Sequence, residues 1–100
     1  MTAYDTLLKR WPRSLAGPLG RGNAAYALHD LATAEDSFRQ ATVDHPDAAA
    51  AFNNLAQVLA ERGKLDEALP AAERAVSLGG PLLVTTQATL AEIRKASPEK

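Results

Sequence analysis

Three carboxamides stand close together near the middle of the chain, at Asn53, Asn54 and Gln57. A carboxamide carries a carbonyl acceptor and two N–H donors, so it can pair with the N–H and the C=O of a peptide backbone at once. That is the chemistry needed to hold an extended chain with modest sequence preference. The other reactive side chains point away from catalysis. His29 and His45 are the only groups whose unperturbed titration falls near neutral pH, and both fall at expected turns at helix ends. No serine, cysteine or acid pair surrounds them at a recognisable spacing, so they read as helix-end or solvated histidines. Glu35-Asp36 and Asp66-Glu67 are acidic pairs in expected first turns, where the helix dipole favours negative charge. A metal needs three or four convergent ligands, and no group of side chains has that spacing. The expectation is a non-enzyme with no cofactor and no metal.

Composition narrows the class further. One hundred residues suit one small domain. With 11 basic against 12 acidic residues there is no electrostatic footprint for nucleic acid. The absence of cysteine excludes disulfides and thiol catalysis. It fits a reducing cytoplasm, or a periplasmic setting if the parent protein is exported. The N-terminus lacks a basic region followed by an apolar core, so it does not read as a signal peptide. No apolar run approaches the ~20 residues a membrane span needs, so no membrane insertion is expected. Ala, Leu, Arg and Glu dominate, all good helix formers, and β-branched residues are scarce.

The elements that must carry the carboxamides follow from periodicity. Six helices are expected. The first spans about Thr2 to Arg10, with Tyr4, Leu7, Leu8 and Trp11 on one stripe, and Pro12 stops it. The second spans about Leu15 to Leu28. The third runs from about Thr33 to Val43, with Ala34, Phe38 and Ala41 on one face. The fourth runs from a cap at Asp47 to Glu61, its stripe being Phe52, Leu55, Ala56 and Leu59. That stripe turns Asn53, Asn54 and Gln57 to the other side of the helix. Gly63 suits the left-handed residue past its end. The fifth helix starts near Asp66 and ends near Leu78. Pro70 is tolerated if Asp66 is its cap and bends the helix if it starts earlier. Gly79-Gly80-Pro81 breaks the chain, and a sixth helix runs from about Leu83 to Ala96 with Thr86, Leu90 and Ile93 inward.

The pattern repeats every 34 residues: Gly22 with Ala56, Leu31 with Leu65, Ala34 with Ala68, Phe38 with Ala72, Ala41 with Ala75. Pro12 and Pro46 keep the same spacing, which next falls on Gly80. A helix–turn–helix unit of this period is the tetratricopeptide signature. On that register residues 1–12 form the second helix of an incomplete repeat, 15–48 and 49–82 are full repeats, 83–96 is a C-terminal capping helix and 97–100 is a tail. Repeat units bury their faces only by stacking. A chain starting mid-unit is therefore expected to be part of a larger protein, or to complete itself as a homo-oligomer through its open N-terminal face, unless the first helix caps the domain.

The chain resembles a tetratricopeptide repeat domain over almost its whole length. The resemblance implies an all-α fold of antiparallel helix hairpins forming a short right-handed α-solenoid. Ala56 and Ala68, with Gly22 and Ala34, match the small family positions where two backbones approach closely. Phe52, Leu55 and Leu59 match the large ones, Gly63 the turn glycine and Pro46 the terminal proline. The first full repeat departs: Pro18 stands at the large aromatic, Arg21 at a leucine, and His29 at the turn glycine. The glycine- and proline-rich start of its first helix is expected to be irregular or late, with Leu19 standing in for the missing core side chain.

In the family the first helices of each unit line a concave groove. By that resemblance Asn23, Tyr26, Asn53, Asn54 and Gln57 are the peptide- or partner-binding residues, with Gln87 and Arg94 following on the last helix. Asn23 and Asn54 also match two asparagines of the family's carboxylate clamp, but Leu19 stands where the clamp needs a lysine. The runs Gly22–Leu28, Asn53–Ala60 and Ala75–Leu82 further resemble repeats appended to some bacterial papain-like peptidases of the bacteriocin-processing type. No catalytic residue of that enzyme is present. Three functions follow as expectations: a bacterial protein–protein interaction module, a regulatory or substrate-positioning domain of a cysteine peptidase, or a self-association module.

Overall fold

The structure, a computed structural model, describes residues 16–96. It contains α1 (Ala16–Ala27), α2 (Leu31–Asp44), α3 (Ala49–Glu61), α4 (Leu65–Leu78), a 3-10 turn (Gly80–Leu82) and α5 (Leu83–Ala96). No strand occurs among the described residues. The expected helix at Thr2–Arg10, Trp11 and the tail lie outside them. Each helix packs on the next, and α3 also touches α5.

The repeat is visible in the turns. After α1 the N–H of Asp30 donates to Ala25 C=O at 2.8 Å and that of His29 to Tyr26 C=O at 2.9 Å. After α3 the N–H of Lys64 donates to Leu59 C=O at 2.8 Å and that of Gly63 to Ala60 C=O at 3.0 Å. Both are Schellman closures, which need a left-handed residue just past the helix. Gly63 supplies it at φ 80°, and His29 adopts it at φ 62° despite its side chain. His29 thus does the turn glycine's work.

Helix starts differ from expectation. α2 begins at Leu31, two residues early, because Asp30 is its cap and accepts from Thr33 N–H. α3 begins at Ala49; its cap position is Ala48, with no side-chain bond, and Asp47 is exposed rather than capping. α4 begins at Leu65, so Pro70 is its sixth residue, yet the helix runs on to Leu78. Pro70 and Asp66 are both exposed, so water can take the Asp66 carbonyl that loses its partner. α1 is helical from Ala16, neither irregular nor late. Pro18 falls in its first turn, where amides have no intrahelical partner, and its ring is among the most deeply buried side chains. Leu19 packs beside the core as well.

Size complementarity sets the hairpins. A Cβ placed on Gly22 would meet Phe38 Cε1 at 2.4 Å and Cδ1 at 2.6 Å, so the Phe38 ring packs directly against a bare backbone. In the second hairpin no large side chain stands at this crossing. The equivalent pair is Ala56 and Ala72, and α4 buries only alanines: Ala68, Ala71, Ala72 and Ala75. The bulk comes from Leu55, Val58 and Leu59 on α3 and Leu90 and Ile93 on α5. Phe52, expected inward, is half-buried, with the Arg74 guanidinium 5.8 Å from its ring centroid. The same arginine donates to Pro46 C=O at 3.2 Å, tying α4 to the α2–α3 turn.

One carboxylate joins the hairpins. Glu35 was expected in a first turn but is the fifth residue of α2, and it is 5% exposed. Its oxygens accept from Arg39 and Arg62, both at 2.7 Å, and from Lys64 at 3.1 Å. Arg39 also reaches Glu67 at 3.1 Å. Burial alone would raise the Glu35 pKa; the hydrogen bonds from Arg39, Lys64 and Arg62 outweigh it and hold the carboxyl at about 2. Arg62 and Lys64 flank the turn between α3 and α4, so the cluster fixes one hairpin against the other.

Two expectations follow. Gly22→Ala should destabilise the domain by about 1–3 kcal/mol through overpacking. In a Phe38→Ala background the same change should cost nothing, or stabilise, because the clash is gone and alanine is the better helix former. Equal urea-midpoint shifts in both backgrounds would refute the contact. For Glu35 the folded pKa lies below the unfolded 4.5. Its contribution is therefore complete above pH 4.5 and lost as pH falls towards 2. The three cations are partly exposed, which discounts it to about 2 kcal/mol. Glu35→Gln should lose that amount at pH 7 and show a flatter stability profile between pH 4.5 and 2. Parallel profiles for the two proteins would exclude the role.

Candidate peptide-binding face

The first helices of the units, α1 and α3, share a face with α5. Two depressions run along it. The smaller, about 110 Å³, is lined by Asn23 and Tyr26 of α1, Phe38 of α2, and Asn54, Gln57 and Val58 of α3. The larger, about 360 Å³, is lined by Tyr26, by Gln57, Ala60 and Glu61 of α3, and by Thr85, Ala88, Thr89, Glu92 and Ile93 of α5. Tyr26 and Gln57 line both, so the two adjoin, and together they make the groove of this face.

Helical spacing explains who faces it. On α3, Asn54, Gln57 and Glu61 recur at i, i+3 and i+7 and occupy one open arc. On α1, Asn23 and Tyr26 are three apart, and both are exposed. The Tyr26 hydroxyl donates to the Glu61 carboxylate and bridges α1 to the end of α3. That bond raises the tyrosine pKa above 10.0, with partial burial adding to it.

Four of the five residues expected to bind a partner, Asn23, Tyr26, Asn54 and Gln57, therefore line one groove. Asn53 does not. It is 5% exposed, lines neither depression, and its Oδ1 is buried without a hydrogen-bond partner. The reason is that α3 is packed on three sides, by α2, α4 and α5. Its buried set runs well beyond the expected stripe, to Ala51, Asn53 and Val58. On α5 the expected pair also stands apart from the groove. Gln87 is exposed but lines neither depression, and Arg94 lies 3.8 Å from Glu73 of α4. Thr85, Ala88, Thr89 and Glu92 take their place. Glu61 and Glu92 were missed; the i+7 step from Asn54 to Glu61 was the available signal.

The histidines stand apart from this face. His29 is the exposed turn residue described above. His45 caps α2 through its backbone N–H to Ala41 C=O, and its Nε2 is buried with no partner. Among the described residues no three His, Cys, Asp or Glu side chains cluster as a metal site would require, and no helix is long and apolar enough to cross a membrane.

Antiparallel hairpins stacked in a row, small residues at their crossings and a shared open face define a helical-repeat domain of the α-solenoid class. The tetratricopeptide repeat family matches residues 19–81, well over half of the chain, and the chain belongs to that family. Such repeats generally mediate protein–protein interaction. No curated protein matches the chain.

Asn53 yields a stability test. A buried carbonyl oxygen without a donor costs about 1–3 kcal/mol relative to an apolar group of the same size. Asn53→Leu should therefore raise the urea midpoint, by an amount equivalent to about 1 kcal/mol. A loss of stability would mean that the carboxamide is satisfied by water in solution.

Proposed function

We propose that this domain is a non-catalytic interaction module that holds an extended segment of a partner protein along the face shared by α1, α3 and α5. The observation that carries the reading is the convergence of three carboxamides, Asn23, Asn54 and Gln57, on one groove. They come from two helices separated by a full repeat. Carboxamides pair with backbone groups whatever the side chains of the bound segment are, while Ala60, Ala88 and Ile93 give it an apolar floor. The readings as a peptidase accessory and as a self-association module draw on no side chain that this face brings together.

The test is selection of peptides from a displayed random library, followed by affinity measurement on variants. Asn54→Ala should weaken the selected peptide by about 1–3 kcal/mol, or roughly five- to 150-fold, because a buried peptide group is left unpaired. Gln57→Ala should act in the same direction. Glu73→Ala, exposed on α4, should change little. Equal affinity for the wild type and both groove variants would refute the reading.

A further inference from the structure

Resting on that reading, we infer that the bound segment carries a basic side chain, arginine before lysine, seated between Glu61 and Glu92. Both carboxylates line the larger depression, and no lysine or arginine lines either part of the groove. Neither has a cationic partner among the described residues. Glu61 is engaged only by the neutral Tyr26 hydroxyl. Two neighbouring cations are held elsewhere: Arg62, next to Glu61 in sequence, is bonded to Glu35, and Arg94, two residues from Glu92, faces Glu73.

An occupant that covers this depression removes water from two like charges, which is unfavourable unless it brings a compensating cation. A guanidinium is the best match. It is planar, it can meet two carboxylates through separate N–H groups, and it stacks on an aromatic face such as Tyr26. An acidic segment, or one gripped by its terminal carboxylate, would meet only repulsion at this end of the groove. Small apolar side chains beside the arginine would rest on Ala60 and Ala88.

The experiment titrates the 100-residue chain, uniformly ¹⁵N-labelled, with three blocked alanine-rich hexapeptides. Each carries one leucine and, in turn, one arginine, one lysine or one glutamate, and amide shifts report both site and affinity. The arginine peptide should shift the amides of Tyr26, Gln57, Glu61, Ala88 and Glu92. The lysine peptide should bind more weakly, and the glutamate peptide at least fivefold more weakly. Glu61→Gln and Glu92→Gln should each weaken the arginine peptide by about two- to fivefold, and added salt should do likewise. A glutamate peptide that shifts the same amides as strongly would overturn the inference and leave the groove reading standing. Shifts confined to α2 or α4 for every peptide would overturn both. An arginine peptide that shifts nothing, while a library-selected peptide shifts the groove amides, would overturn the inference alone. Circular dichroism of each variant separates lost binding from lost fold.

Discussion

The whole arrangement depends on how closely two helices of one hairpin can approach. Backbones come near only where one side contributes almost no side chain, and the other must then fill the space. In the first hairpin Gly22 yields to Phe38; in the second the small residues are on α4 and the bulk is on α3. The same 34-residue register therefore accepts opposite allocations of volume. This explains how the first unit tolerates Pro18 where the family has a large aromatic. Phe38 fills the interior from the opposite helix, and the proline ring itself is buried.

Close crossing also decides what the outer faces can do. Because the hairpins close tightly, α1 and α3 present one narrow arc each to the open side. On α3 that arc is occupied by Asn54, Gln57 and Glu61, and on α1 by Asn23 and Tyr26. The Glu35 cluster then ties one hairpin to the turn of the next, so the two arcs hold a fixed separation. The second repeat gives up a capping side chain to achieve this. Where the first has Asp30 capping α2, the second has Lys64, which caps nothing and reaches Glu35 instead. Asp66 and Glu67 in the first turn of α4 offset the missing cap through the helix dipole.

Much of this was legible in the residues. The period, the small crossing positions and the turn at His29 could be read because each depends on a single residue's size or backbone conformation. Side chains whose environment is set by several neighbouring helices were harder. Asn53 follows Phe52 and precedes Asn54, so a single apolar stripe put it outside; three neighbours around α3 bury it instead. Phe52 failed in the opposite direction, held at the junction by Arg74 rather than sunk in the core. Glu35 looked like a dipole partner because its three cations lie 4, 27 and 29 residues away, and only the last two distances cross a repeat boundary. Local sequence carries only the Arg39 member of the cluster, at i+4.

Charge placement ties stability to recognition. Arg62 and Glu61 are neighbours in sequence at the end of α3, and an isolated helix would leave both in solvent. Here Arg62 is drawn to a buried carboxylate while Glu61 accepts a hydroxyl from α1. The cluster that fastens the hairpins thus also separates the two charges. The balanced composition of the chain, with a formal net charge of −1, hides this local imbalance. A groove with carboxylates and no cations cannot grip an anionic terminus, although Asn23 and Asn54 stand where a clamp would use them. Leu19, where such a clamp would place its lysine, packs beside the hydrophobic core instead. On the proposed reading the same two asparagines pair with backbone, and the sign of the groove's charge is decided by the residues around them.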